Sequence, residues 1–148
     1  MANLPICLEA NPGKMSQTIF TEIQDHKVAI IFFPDGGLSI GIVSGRYVID
    51  MVLTKVEDSV IVTELPQGDD QIRIELIGEP VNKYLRQLRE LMNKVRSGSI
   101  TMDKFSEDMT DFLVNNINNI VLDTTTMLHD KIEQLMKDLS LHGGETLE

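Results

Sequence analysis

Lys27-Val28-Ala29-Ile30-Ile31-Phe32-Phe33 runs into Pro34-Asp35-Gly36-Gly37 and then into Leu38-Ser39-Ile40-Gly41-Ile42-Val43. The first seven residues are short, rich in β-formers and apolar on both faces, as a central strand should be. The next four are the strongest hairpin turn in the chain, because proline and glycine supply the backbone angles a reversal needs. The third group alternates, with Leu38, Ile40 and Ile42 on one face. Strand, turn and strand together predict antiparallel sheet.

The same reading extends in both directions. Upstream, Thr18–Ile23 mixes β-branched and apolar residues before Gln24-Asp25-His26 breaks the run, and Leu4–Glu9 is a weaker run ended by Asn11-Pro12-Gly13. Downstream, Ser44-Gly45 leads into Arg46–Leu53, Glu57-Asp58-Ser59 into Val60–Leu65, and the loop Pro66–Asp70 into Gln71–Ile77. In that last run Ile72, Ile74 and Leu76 share one face, with Arg73 and Glu75 on the other. Such short links leave no room for crossover helices. Residues 1–78 therefore read as an antiparallel meander of about six strands, with curling toward a small barrel as an option.

The period changes at Glu79-Pro80. Val81, Tyr84, Leu85, Leu88, Leu91, Met92 and Val95 form one apolar stripe at spacings of three and four, ended by Ser97-Gly98-Ser99. Thr101 is suited to cap a second helix, along which Phe105, Met109, Leu113, Ile117 and Val121, then Leu128, Ile132, Leu135 and Leu139, continue a stripe. Asn115-Asn116-Ile117-Asn118-Asn119 is poor in helix formers, and Asp123 could cap a fresh helix, so one long helix and two shorter ones are both compatible with the pattern. The fold class is thus α+β. A helical half, 79–140, packs on the sheet and on a partner copy, and residues 141–148, with Gly143-Gly144, are expected to fray.

Gly98-Ser99-Ile100-Thr101, followed by Phe105, resembles the turn of the SHOCT family of short helical modules. The resemblance covers under a third of the chain, from Leu85 to Leu113. Where that family has an acidic pair before the phenylalanine, this chain has Asp103-Lys104. It implies a local helical hairpin and carries no function over.

The chain is 148 residues long with a net charge of −10, unevenly spread. Residues 1–80 carry 12 acids and 5 bases, and residues 101–148 carry 10 acids and 3 bases. Between them, residues 81–100 hold Lys83, Arg86, Arg89, Lys94 and Arg96 against Glu90 alone. The acidic balance disfavours generic nucleic-acid binding and a membrane-surface role, both of which require basic surface. The basic island reads either as pairing with acids of the fold or as a pocket for an anion. For the anion, Arg86, Arg89 and Arg96 would supply charge and Tyr84 stacking. A single cysteine, Cys7, excludes an internal disulfide framework; together with an N-terminus that has no secretory pattern, it predicts a cytoplasmic setting.

No chemistry converges. His26 reads as a turn histidine, and His129 with Glu133 one helical turn on reads as a surface ion pair rather than two metal ligands. Cys7 lies in an apolar run with no cation to lower its pKa. The glycines at 36, 37, 41 and 45 lack the order of a phosphate loop. The acids Glu107, Asp108 and Asp111, and Asp69-Asp70, do not match a calcium loop. The methionines at 92, 102, 109, 127 and 136 serve best as core filler. No cofactor or metal is expected.

The remaining signal concerns assembly. The stripe of residues 101–140 is longer than a small sheet can cover, so Leu113, Ile117, Leu128, Ile132 and Leu135 are expected to meet a second copy. The sequence thus points to a non-enzymatic, homo-oligomeric binding, adaptor or inhibitor protein that occupies a protein partner. The alternative is a protein that sequesters or senses an anionic small molecule such as a nucleotide.

Overall fold

Six strands follow one another in the same order in the chain and in the sheet. In the computed structural model, which describes residues 17–65 and 71–147, they are β1 (Gln17–Ile23), β2 (His26–Phe32), β3 (Leu38–Ser44), β4 (Tyr47–Leu53), β5 (Asp58–Glu64) and β6 (Ile72–Leu76), each antiparallel to the next. The run Leu4–Glu9, Cys7 and the loop 66–70 lie outside the described residues. Among the described residues the sheet is open rather than barrel-like: β1 pairs with β2 alone and β6 with β5 alone. Between β1 and β2, Gln24 and Asp25 take φ of 51° and 67°, the left-handed pair of a two-residue hairpin whose twist matches the strands.

Register decides which face is core. Ile30, Ile40, Met51, Val60 and Leu76 are consecutive cross-strand partners, as are Val28, Ile42, Ile49, Val62 and Ile74. These two rows point the same way and are buried almost throughout.

Both helices lie on that face. Helix α1 (Val81–Arg96) buries Val81, Tyr84, Leu85, Leu88 and Met92. Gly98, at φ 78°, then reverses the chain. Thr101 accepts the Lys104 amide at 3.1 Å and so caps helix α2 (Met102–Leu147), as its position predicts. Phe105, Met109, Phe112, Leu113, Ile117, Ile120 and Leu128 of α2 join the sheet and α1 in one core. Phe105 meets Phe32 edge-on at 5.9 Å.

Helix α2 is unbroken over 46 residues. The weak helix formers at its middle survive because tertiary packing overrides propensity: Ile117, Ile120 and Leu128 are fully buried on either side of them. Their polar atoms turn back onto the helix, from Asn116 to the Phe112 carbonyl at 2.8 Å, Thr124 to Ile120 at 2.7 Å and Thr125 to Val121 at 2.8 Å. Asp123 starts no new helix. The backbone is helical through Gly143-Gly144 to Leu147. No helix among the described residues is long and apolar enough to cross a membrane.

Candidate interaction surfaces

The three arginines of α1 each hold a group of the fold. Arg89 donates to the Asp58 carboxylate and to the Glu57 carbonyl, the latter at 3.3 Å, on the loop entering β5. Arg86 pairs with Glu79 at 2.7 Å. Arg96 donates to the Gly36 carbonyl at 3.2 Å and lies flat on the hairpin turn, where a side chain at Gly36 would press against its guanidinium. Gly36 sits at φ 93°, a backbone angle that favours glycine. Tyr84 cannot stack on a ligand. It is 2% exposed, it lies on the far side of α1 from Arg86, and its hydroxyl donates to Asp123 Oδ2 at 2.6 Å. Burial and that carboxylate push its pKa well above the ordinary value. The four residues are therefore not brought together around one pocket: the arginines hold acids and carbonyls of three separate segments.

The residues expected at a subunit interface divide into two groups. Leu113, Ile117 and Leu128 are completely buried in the single chain, because α2 lays the first two-thirds of its stripe on α1 and the sheet. They are core residues and cannot reach a second copy. Ile132 is half-buried at the edge of that core, and Leu135 is 47% exposed. Beyond it Met136 and Leu139 are 64% and 70% exposed. The apolar seam thus continues past the core without change of face, and residues 133–140, about 12 Å of helix, are all exposed. His129, Ile132, Glu133, Met136 and Lys137 form one open side of this part of the helix. His129 pairs with Tyr47, at 3.0 Å, and not with Glu133, which pairs with Lys137 instead.

The second apolar surface is the outer face of the sheet, opposite the helices. Phe20, Ala29, Gly41, Asp50 and Ile61 are consecutive cross-strand partners there, and Ile31, Val43, Val48 and Val52 project from the same side. Phe20 is 52% exposed and Val43 is exposed, while the others are half-buried by their neighbours. Ala29 and Gly41 carry too little side chain to fill the middle, which leaves a concavity of about 500 Å³ edged by Phe20, Lys27, Val43, Val48 and Asp50. The Asp50 carboxylate leans over Gly41, where an added Cβ would sit 3.0 Å from Oδ1. Desolvation there raises the Asp50 pKa, against the pull of the Arg73 charge. No described element packs on this face.

This surface escaped the sequence reading, although its signal was present: Lys27–Phe33 is apolar on both faces, which suggested burial on both. The helices cover only one.

Among the described residues, no three His, Cys, Asp or Glu side chains gather as metal ligands. Met92 and Met109 are core, whereas Met102 and Met136 are exposed. No protein-family model, no curated protein and no solved structure matches the chain.

Proposed function

We propose that the protein is a non-enzymatic, homo-oligomeric binding protein, an adaptor or inhibitor that acts by occupying a protein partner in the cytoplasm. The observation that carries this reading is the outer face of the sheet, on which no element among the described residues packs. An antiparallel sheet that faces water normally alternates apolar-in with polar-out. Here the outward set includes Phe20, Ile31, Val43, Val48, Val52 and Ile61, an apolar patch on a chain otherwise rich in charge. Contiguous apolar surface rimmed by polar groups, here Glu22, Lys27, Arg73 and Glu75, is what protein partners use. The exposed seam of α2 beyond Ile132 supports self-association at a site remote from that patch. The anion-sequestering alternative has no comparable support, since each of its arginines already holds a group of the protein.

The test is co-purification from the native host with wild type and with Phe20→Asp/Val43→Asp. Both substitutions fall on exposed positions, so the variant keeps its fold and mass. A stoichiometric partner that is retained by wild type, lost by the variant and rebound when purified supports the reading. A partner set identical for both proteins removes it.

A further inference from the structure

Asp50 is a carboxylate in the middle of an apolar sheet face. Its cross-strand partners are Gly41 and Ile61, and Val48 and Val52 flank it on its own strand. Among the described residues it has no hydrogen-bond donor and no ionic partner. Of the bases on that face, Lys27 stands directly across from Glu22, and Arg73 lies two strands from Asp50. We propose that the concavity beside Asp50 is a socket for one arginine side chain of the protein partner, with the guanidinium on the Asp50 carboxylate and the hydrocarbon stem along Ala29 and Gly41. This rests on the protein-binding reading above and names the chemistry of the partner's anchor.

The dimensions and lining suit such a group. The concavity holds about 500 Å³ and spans the three strand spacings from Phe20 to Asp50, about 14 Å. Its floor is the bare backbone of Gly41 and the methyl group of Ala29, so an unbranched stem can lie along it, with Phe20 as the far wall. The carboxylate leans over that floor, its Oδ1 3.0 Å from where a Cβ on Gly41 would stand. Burial there raises the pKa of Asp50, as expected of a carboxylate short of compensating donors. A cation arriving with the partner supplies them. Other anchors fit less well. A purely apolar side chain would bury the carboxylate unpaired, which is costly. An acidic one would meet Asp50 and Glu22 on a chain whose net charge is −10. An ammonium is strongly hydrated and would shed that water over an apolar floor, whereas a guanidinium is weakly hydrated and donates two parallel N–H bonds to one carboxylate.

The experiment is an amide-resonance titration of the full chain with the peptide acetyl-Leu-Arg-Leu-amide, and with the same peptide carrying citrulline, which has the shape of arginine without its charge. The arginine peptide should move the resonances of Ala29, Gly41 and Asp50 to saturation, and the citrulline peptide should bind about tenfold more weakly. Asp50→Asn should bring the arginine peptide down to the citrulline level and leave the citrulline peptide unchanged. The same substitution should release the partner that wild type captures from the native host. Equal binding of the two peptides, binding of neither, shifts confined to other residues, or undiminished binding to Asp50→Asn overturns the socket. A partner retained by Asp50→Asn but lost by Phe20→Asp/Val43→Asp keeps the protein-binding reading and overturns the arginine anchor. A partner set identical for wild type and Phe20→Asp/Val43→Asp removes that reading, and the anchor with it.

Discussion

The Tyr84 hydroxyl donates to Asp123 Oδ2 at 2.6 Å, joining the middle of α1 to the middle of α2 beneath the Tyr84–Phe112 ring pair. A hydrogen bond to a charged acceptor contributes about 1.5–3 kcal/mol. Tyr84→Phe should therefore lower stability by about that much in urea unfolding, with the slope unchanged. The pH dependence has a definite sign. The folded pKa lies above the ordinary value of 10.0, so the unfolded chain loses this proton first, and stability falls as pH rises above 10. That fall should be shallower in Tyr84→Phe than in wild type.

Asp50 behaves in the opposite sense to a stabilising carboxylate. Its folded pKa is raised above 3.8 by burial over Gly41, so ionising it opposes folding as pH climbs past that value. Asp50→Asn should raise the melting temperature slightly at pH 7, and the gain should vanish below pH 3.8. A loss of stability at neutral pH would show that the carboxylate serves a contact in the folded chain.

Arg86 and Arg89 should differ. Arg86 and Glu79 are both more than half exposed, and their pair contributes at most about 0–1 kcal/mol. Arg89 and Asp58 are mostly covered, and the same guanidinium also holds the Glu57 carbonyl. Arg89→Ala should cost about 1–3 kcal/mol and be less sensitive to salt, because it leaves a part-buried carboxylate unpaired.

Leu128 and Leu139 share one helix face but belong to different structures. Leu128→Ala removes a wholly buried side chain and should cost about 2–5 kcal/mol of protomer stability. Leu139→Ala should leave the protomer's unfolding midpoint within about 0.5 kcal/mol, since the side chain is 70% exposed, and should weaken self-association instead.

Most of the fold was legible because its signals are local. Alternation at Leu38–Val43, the Pro34–Gly37 turn and the shift of period at Glu79-Pro80 each act within a few residues, and all agree with the sheet and helices observed. The continuity of α2 was not legible, since helix propensity at Asn115–Asn119 is outweighed by burial of Ile117 and Ile120 under elements distant in sequence. The interaction surfaces were only half legible, for the same reason. Periodicity finds an apolar stripe but cannot say where its cover ends, so Leu113 and Leu135 look alike in sequence and differ completely in exposure. The arginines of α1 drew attention as an isolated patch of charge, and their partners at Asp58 and Gly36 lie 31 and 60 residues away.

The strict sequence order of the strands has a consequence for biogenesis. Every pairing in the sheet is between neighbours in the chain, so each hairpin can close as soon as it is made. The cover for the inner face, however, comes last: Leu113, Ile117 and Leu128 are synthesised 37 to 52 residues after β6 ends at Leu76. During that interval the nascent sheet presents apolar side chains on both faces, a state exposed to aggregation. Chains truncated between 100 and 128 should accordingly accumulate as insoluble material, whereas truncation after Ser140 should not.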